Sequence, residues 1–79
     1  MAWLAVEKNG QEYLYKYLPI RIVEDEDVAF WLPSSYLEKP EKLPKGTIEK
    51  LIGKKLTWKN NPYQINIIDI LPILKGGDS

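Results

Sequence analysis

Four acidic residues in a row, Glu24-Asp25-Glu26-Asp27, form the only carboxylate run in the chain. Oxygens so close together could hold Ca²⁺ or Mg²⁺, or serve a metal-assisted hydrolysis. The run lacks the glycine and the alternating ligand spacing of a dedicated cation loop. A solvated turn is the expectation, with no metal site.

A second grouping is basic and aromatic: Lys54, Lys55 and Lys59 surround Trp58. Lysines neutralise phosphates and an indole stacks on bases, which is how single-stranded nucleic acid is held. Exposed tryptophans are also the usual anchors of protein interfaces. Trp31 and Trp58, with Lys54, Lys55 and Lys59, are therefore the candidate partner-binding residues. The plainer expectation is weightier: aromatics in the core and a solvated lysine face.

Catalysis has little to work with. There is no cysteine and no histidine, which removes disulfides, thiol nucleophiles, imidazole acid–base chemistry and the usual zinc sites. Ser34 and Ser35 have no histidine to activate them, and Lys50, Lys54 and Lys55 are too near other charges to be buried bases. Gly46 and Gly53 lack the spacing of a phosphate loop. No catalytic residue and no cofactor are expected, the chain reads as a non-enzyme, and a metal-dependent hydrolase ranks last.

The elements that position these residues begin with Ala2 to Val6 and Glu12 to Leu18, two strand-like runs around Lys8-Asn9-Gly10-Gln11. Asn-Gly between such runs signals a two-residue hairpin turn, because both central residues of a type I′ turn need positive φ. That turn sets Val6 opposite Tyr13, Leu4 opposite Tyr15 and Ala2 opposite Tyr17. It predicts a core face of Ala2, Leu4, Val6, Tyr13, Tyr15 and Tyr17, and an outer face of Trp3, Ala5, Glu7, Glu12, Leu14 and Lys16. Glu7 then opposes Glu12, a like-charge pair that solvent would screen.

Pro19 ends or bends the second strand, Ile20 to Val23 continues beyond it, and Val28 to Leu32 is a third strand. Residues 36–45 read as a loop, since Pro40 limits the capping-box pair Ser35 and Glu38 to one turn. A short helix starts at Gly46 or Thr47, buries Ile48, Leu51 and Ile52, and stops at Gly53. Leu56-Thr57-Trp58 and Tyr63 to Ile67 predict a second hairpin. Ile68 to Leu74 is apolar but broken by Pro72, and residues 76–79 are expected to fray.

At 79 residues this is one domain, over residues 1–75, with an apolar fraction of 44% that excludes a disordered chain. The fold class is α+β: four or five antiparallel strands in two hairpins and one short helix, with a partly open SH3-like barrel as the form a curled sheet would take. No apolar run approaches the roughly 20 residues that span a bilayer, and no secretory signal is visible. A cytoplasmic location without membrane contact follows as the default. The net charge is zero, but residues 1–37 carry −3 and residues 38–59 carry +4. Such polarity orients a docking partner more than it attracts one in bulk.

Trp3-Leu4-Ala5-Val6 followed by Gly10 and Glu12, and later Pro44-Lys45-Gly46-Thr47-Ile48-Glu49-Lys50-Leu51-Ile52-Gly53 with Leu56-Thr57-Trp58, resemble small proteins of phages and prophages of gut bacteria. The two blocks cover about a third of the chain and carry no catalytic signature. The resemblance implies action inside an infected bacterium, as an inhibitor or adaptor on a host protein, a defence protein included. The expected function is a non-catalytic protein-binding module with a host or phage protein as partner, self-association remaining open. The alternative is a weak nucleic-acid binder using the Lys/Trp patch.

Overall fold

The β1–β2 turn decides which side chains meet. In the computed structural model, which describes residues 1–66 and 68, Gly10 N–H donates to the Glu7 carbonyl (2.8 Å) and Glu7 N–H to the Gln11 carbonyl (2.9 Å). Gly10 has φ +92°, whereas no non-glycine residue among those described has positive φ. The loop is therefore Lys8-Asn9-Gly10, a β-turn on Lys8 and Asn9 followed by a left-handed glycine in a bulge. Asn9 Oδ1 accepts from Gln11 N–H at 2.9 Å and braces it.

One residue more in the loop shifts the predicted register by one. β1 (Ala2–Val6) pairs with β2 (Glu12–Tyr15) as Trp3 with Tyr15, Leu4 with Leu14, Ala5 with Tyr13 and Val6 with Glu12. The slip moves β2's side chains to the opposite faces. Tyr13 and Tyr15 lie with Trp3 and Ala5, while Glu12 and Leu14 lie with Leu4 and Val6. Tyr17 stands beyond the strand and is exposed.

The first hairpin sits at the centre of a four-stranded antiparallel sheet. β5 (Glu41–Leu43) adds to β2 and β6 (Tyr63–Ile65) adds to β1, giving the order β5-β2-β1-β6. β5 occupies part of the segment expected as a loop. β6 pairs with β1 and not with Leu56-Thr57-Trp58, which forms no strand. A second hairpin does exist, as β3 (Ile20–Val23) with β4 (Ala29–Leu32). The sheets stay separate, so no barrel closes. The α+β class holds, with six strands and one helix among the described residues. Most of Ile68 to Leu74, and the tail at 76–79, lie outside the described residues.

Both faces of the central sheet are covered. On one, Ala2, Leu4, Val6, Leu14, Leu43 and Ile65 pack against Ile48 of α1 (Thr47–Ile52), with Leu51, Ile52 and Leu56 half-buried around them. On the other, Ala5 and Tyr15 pack against Trp31 of β4, with Trp3, Tyr13 and Trp58 at the margin. The molecule is thus layered as helix, sheet and hairpin, and each core is small.

α1 runs between left-handed glycines, Gly46 at φ +91° and Gly53 at φ +78°, as its sequence requires. Its start is held from across the sheet. The buried Glu12 carboxylate accepts Gly46 N–H on Oε2 and Ile48 N–H on Oε1, both at 2.8 Å. A carboxylate there satisfies amides that have no partner inside the helix and meets the positive end of its dipole. The register slip thus turns a predicted surface glutamate into the helix cap.

Two outcomes follow. Gly10→Val should cost about 2 kcal/mol in urea unfolding and Gly10→Asn clearly less, since nothing crowds the position and only backbone conformation is at stake. Glu12→Ala should cost about 3 kcal/mol, one buried and one half-buried amide losing their carboxylate acceptor, with faster hydrogen exchange at Gly46 and Ile48.

Candidate functional site

Trp31 is the rivet that joins the second hairpin to the sheet. Its indole N–H donates to the Val6 carbonyl at 2.9 Å, and its backbone N–H to Glu7 Oε1 at 3.2 Å. Only 5% of the residue is exposed, so Trp31 is core and cannot anchor a partner, contrary to the sequence expectation. A buried indole keeps its place where its N–H finds an acceptor, and Val6 supplies one.

Around it lies a cluster of aromatics and one cation. Trp58 meets Trp31 edge-on with ring centroids 5.5 Å apart. The Arg21 guanidinium lies 4.7 Å from the Trp31 ring and 4.9 Å from the Trp58 ring, and Nη2 donates to the Asn60 carbonyl at 2.8 Å. Arg21 therefore ties β3, β4 and the turn at residues 57–60 together through cation–π contact. The turn is itself fixed by Thr57 N–H donating to Asn60 Oδ1 at 2.8 Å.

The predicted Lys/Trp patch is only partly assembled. Trp58, Lys55 and Lys59 line a groove of about 730 Å³ between the β1–β2 turn, the start of α1 and residues 55–59. Lys8 and Lys45 join them there. Lys54 is not among them: its Nζ sits 5.2 Å from the Tyr63 ring, on the β6 side. Glu7, Glu12 and Glu49 also line the groove, so three carboxyl side chains share it with four lysines. That mixture lacks the one-sign field that draws in a phosphate backbone.

The acidic run is an ordered turn at the tip of the β3–β4 hairpin. Asp25 Oδ1 accepts the N–H groups of Asp27 (2.8 Å) and Val28 (2.9 Å), and Lys8 Nζ donates to the Glu26 carbonyl. No group of three acidic residues among the described residues is arranged to hold a metal ion. No described helix is long and apolar enough to cross a membrane.

A different surface stands out, made of residues that sequence patterning does not single out. The β3–β4 register pairs Ile20 with Leu32 and Ile22 with Phe30, so these four share the face turned away from Trp31 and Arg21. Ile20, Phe30 and Leu32 are 49%, 36% and 43% exposed, and Ile22 is half-buried. Together they leave on the order of 300 Å² of apolar side chain in water, the size of the largest apolar patch on a typical monomer, which is often functional. Leu18 and Val28, both exposed, flank the hairpin.

No protein-family model, curated protein or solved structure matches this chain.

Partial burial pushes the Glu7 carboxyl above its ordinary value of 4.5, and the Trp31 N–H draws it back part of the way. Burial first, then the nearby Glu7, Tyr13 and Glu38, raise the Tyr15 hydroxyl well above its usual range and keep it neutral. An acid harder to ionise folded than unfolded favours the fold most when protonated. Glu7's contribution is complete below 4.5 and is lost as pH rises through the folded value. Glu7→Gln keeps an oxygen for Trp31 N–H and removes the charge. The variant should gain stability relative to the parent between about pH 4 and pH 7, with no difference at lower pH, in paired thermal melts.

Proposed function

We propose that this chain is a non-catalytic protein-binding module that docks a partner protein through the outward face of the β3–β4 hairpin. One observation carries the proposal: Ile20, Ile22, Phe30 and Leu32 form an apolar face in water, while Trp31 and Arg21 on the opposite face fix the hairpin rigidly to the sheet. A rigid apolar surface binds without the ordering cost of a flexible one. The resemblance to phage and prophage proteins supports an inhibitor or adaptor that acts on a host protein in the bacterial cytoplasm. Trp58 with Lys55 and Lys59 remains the basis of a second reading, weak nucleic-acid binding in the groove, which the three glutamates there disfavour.

Affinity capture from infected cells separates the two. Phe30→Ser with Leu32→Ser should lose the captured protein while Trp31 fluorescence and the melting curve stay those of a folded chain. Lys55→Glu with Lys59→Glu should keep it. Micromolar or tighter binding of a random single-stranded oligonucleotide at about 150 mM salt, lost in the double-lysine variant, would reverse the order.

A further inference from the structure

The hydrogen bond from Glu24 N–H to the Val28 carbonyl, 2.9 Å, fixes the phase of the β3–β4 ladder. In an antiparallel pair hydrogen-bonded and non-hydrogen-bonded positions alternate, so Ile22 with Phe30 and Ile20 with Leu32 are bonded pairs. The backbone groups of Arg21 and Val23 on β3, and of Ala29 and Trp31 on β4, then point away from the ladder. The close approach of Arg21 to Trp31 fits this phase, because non-hydrogen-bonded pairs bring side chains nearer.

The two outer edges differ. On β4 the Trp31 N–H is taken by the Glu7 carboxylate, which stands in the path of any added strand. On β3 nothing among the described residues meets the N–H or C=O of Arg21 or Val23. A two-stranded sheet with one blocked edge and one open edge is a template for a third strand.

We propose that the open edge of β3 accepts an extended segment of the partner protein as an antiparallel third strand, with alternating apolar residues and with basic residues at its N-terminal end. This rests on the hairpin face being the docking surface. An antiparallel strand starts beside the acidic turn, where Glu24, Asp25, Glu26 and Asp27 gather four carboxylates with Lys8 bonded only to a backbone carbonyl. Lysines or arginines there complement that charge. The strand's apolar side chains extend the face of Ile20 and Ile22.

A second copy of this chain fits poorly. Antiparallel pairing of two β3 strands, Arg21 of one against Val23 of the other, sets residues 17–20 beside the acidic turn, a stretch with no cation and with a proline that has no N–H to donate. Parallel pairing sets acid against acid.

The test uses the full chain and a synthetic peptide that alternates valine and threonine behind three N-terminal lysines. Amide exchange and chemical shifts are followed by NMR during titration. The amides of Arg21 and Val23 should become protected and shifts should centre on β3. Val23→Pro removes an outward N–H without touching the bonded pairs, so the fold should survive while peptide affinity falls at least about tenfold. Moving the lysines to the C-terminal end, or combining Glu24→Gln with Glu26→Gln, should also weaken binding. No shifts at millimolar peptide, shifts centred on the Trp58 groove, or equal binding by Val23→Pro would overturn the proposal. Concentration-dependent protection of Arg21 and Val23 without peptide would assign the edge to a second copy and overturn it too. If the peptide fails while Phe30→Ser with Leu32→Ser still abolishes partner capture, the edge fails and the face stands. If that double variant captures normally, the docking surface itself is wrong.

Discussion

The left-handed conformation of Gly10 is the constraint on which the other layers depend, because it adds a residue to the β1–β2 loop and so decides which side of the sheet β2 addresses. Side chains alternate with a period of two, and a one-residue change in loop length exchanges the faces of a whole strand. With Gly10 in the bulge, Glu12 reaches the amides of α1 and Tyr15 reaches Trp31. In the alternative register Glu12 would face the hairpin and Tyr15 would crowd the helix. Neither layer could then form as it does.

The result is a sheet with two modest cores in place of one large one. This suits a chain with no disulfide, since apolar area is gained on both sides of the same four strands. It also assigns tasks. The helix side uses aliphatic packing and one buried carboxylate. The hairpin side uses aromatics, a guanidinium packed against two touching indoles and an indole N–H on a strand carbonyl. Because Trp31 and Arg21 turn inward, the other half of the hairpin must present its Ile, Phe and Leu side chains to solvent.

What the sequence discloses follows from how local each signal is. The α1 limits are legible because two glycines and the spacing of Ile48, Leu51 and Ile52 act within one short segment. The β1–β2 hairpin is legible as an element but its register is not, since Asn-Gly fits a two-residue turn and a three-residue bulged loop alike. Leu56 to Trp58 looks like a strand by residue type, yet Tyr63 to Ile65 finds its partner in β1, some sixty residues earlier. In β4, Ala29-Phe30-Trp31-Leu32 is apolar at every position, so no alternation says whether Trp31 or Phe30 turns inward. Only the Val6 carbonyl, supplied from another strand, settles that. Of the expected contact residues, Lys55, Lys59 and Trp58 come together, while Lys54 and Trp31 are drawn elsewhere by Tyr63 and by the core.

The cap on α1 also orders events in time. Six residues make a helix far shorter than the dozen or so that hold together alone in water. Its first amides wait for a carboxylate 34 and 36 positions earlier in the chain, carried on a strand that must already be paired to point the right way. The loop between them has to close before either bond can form, an entropic step that slows folding. The helix therefore cannot complete its cap until β1 and β2 are paired through their turn.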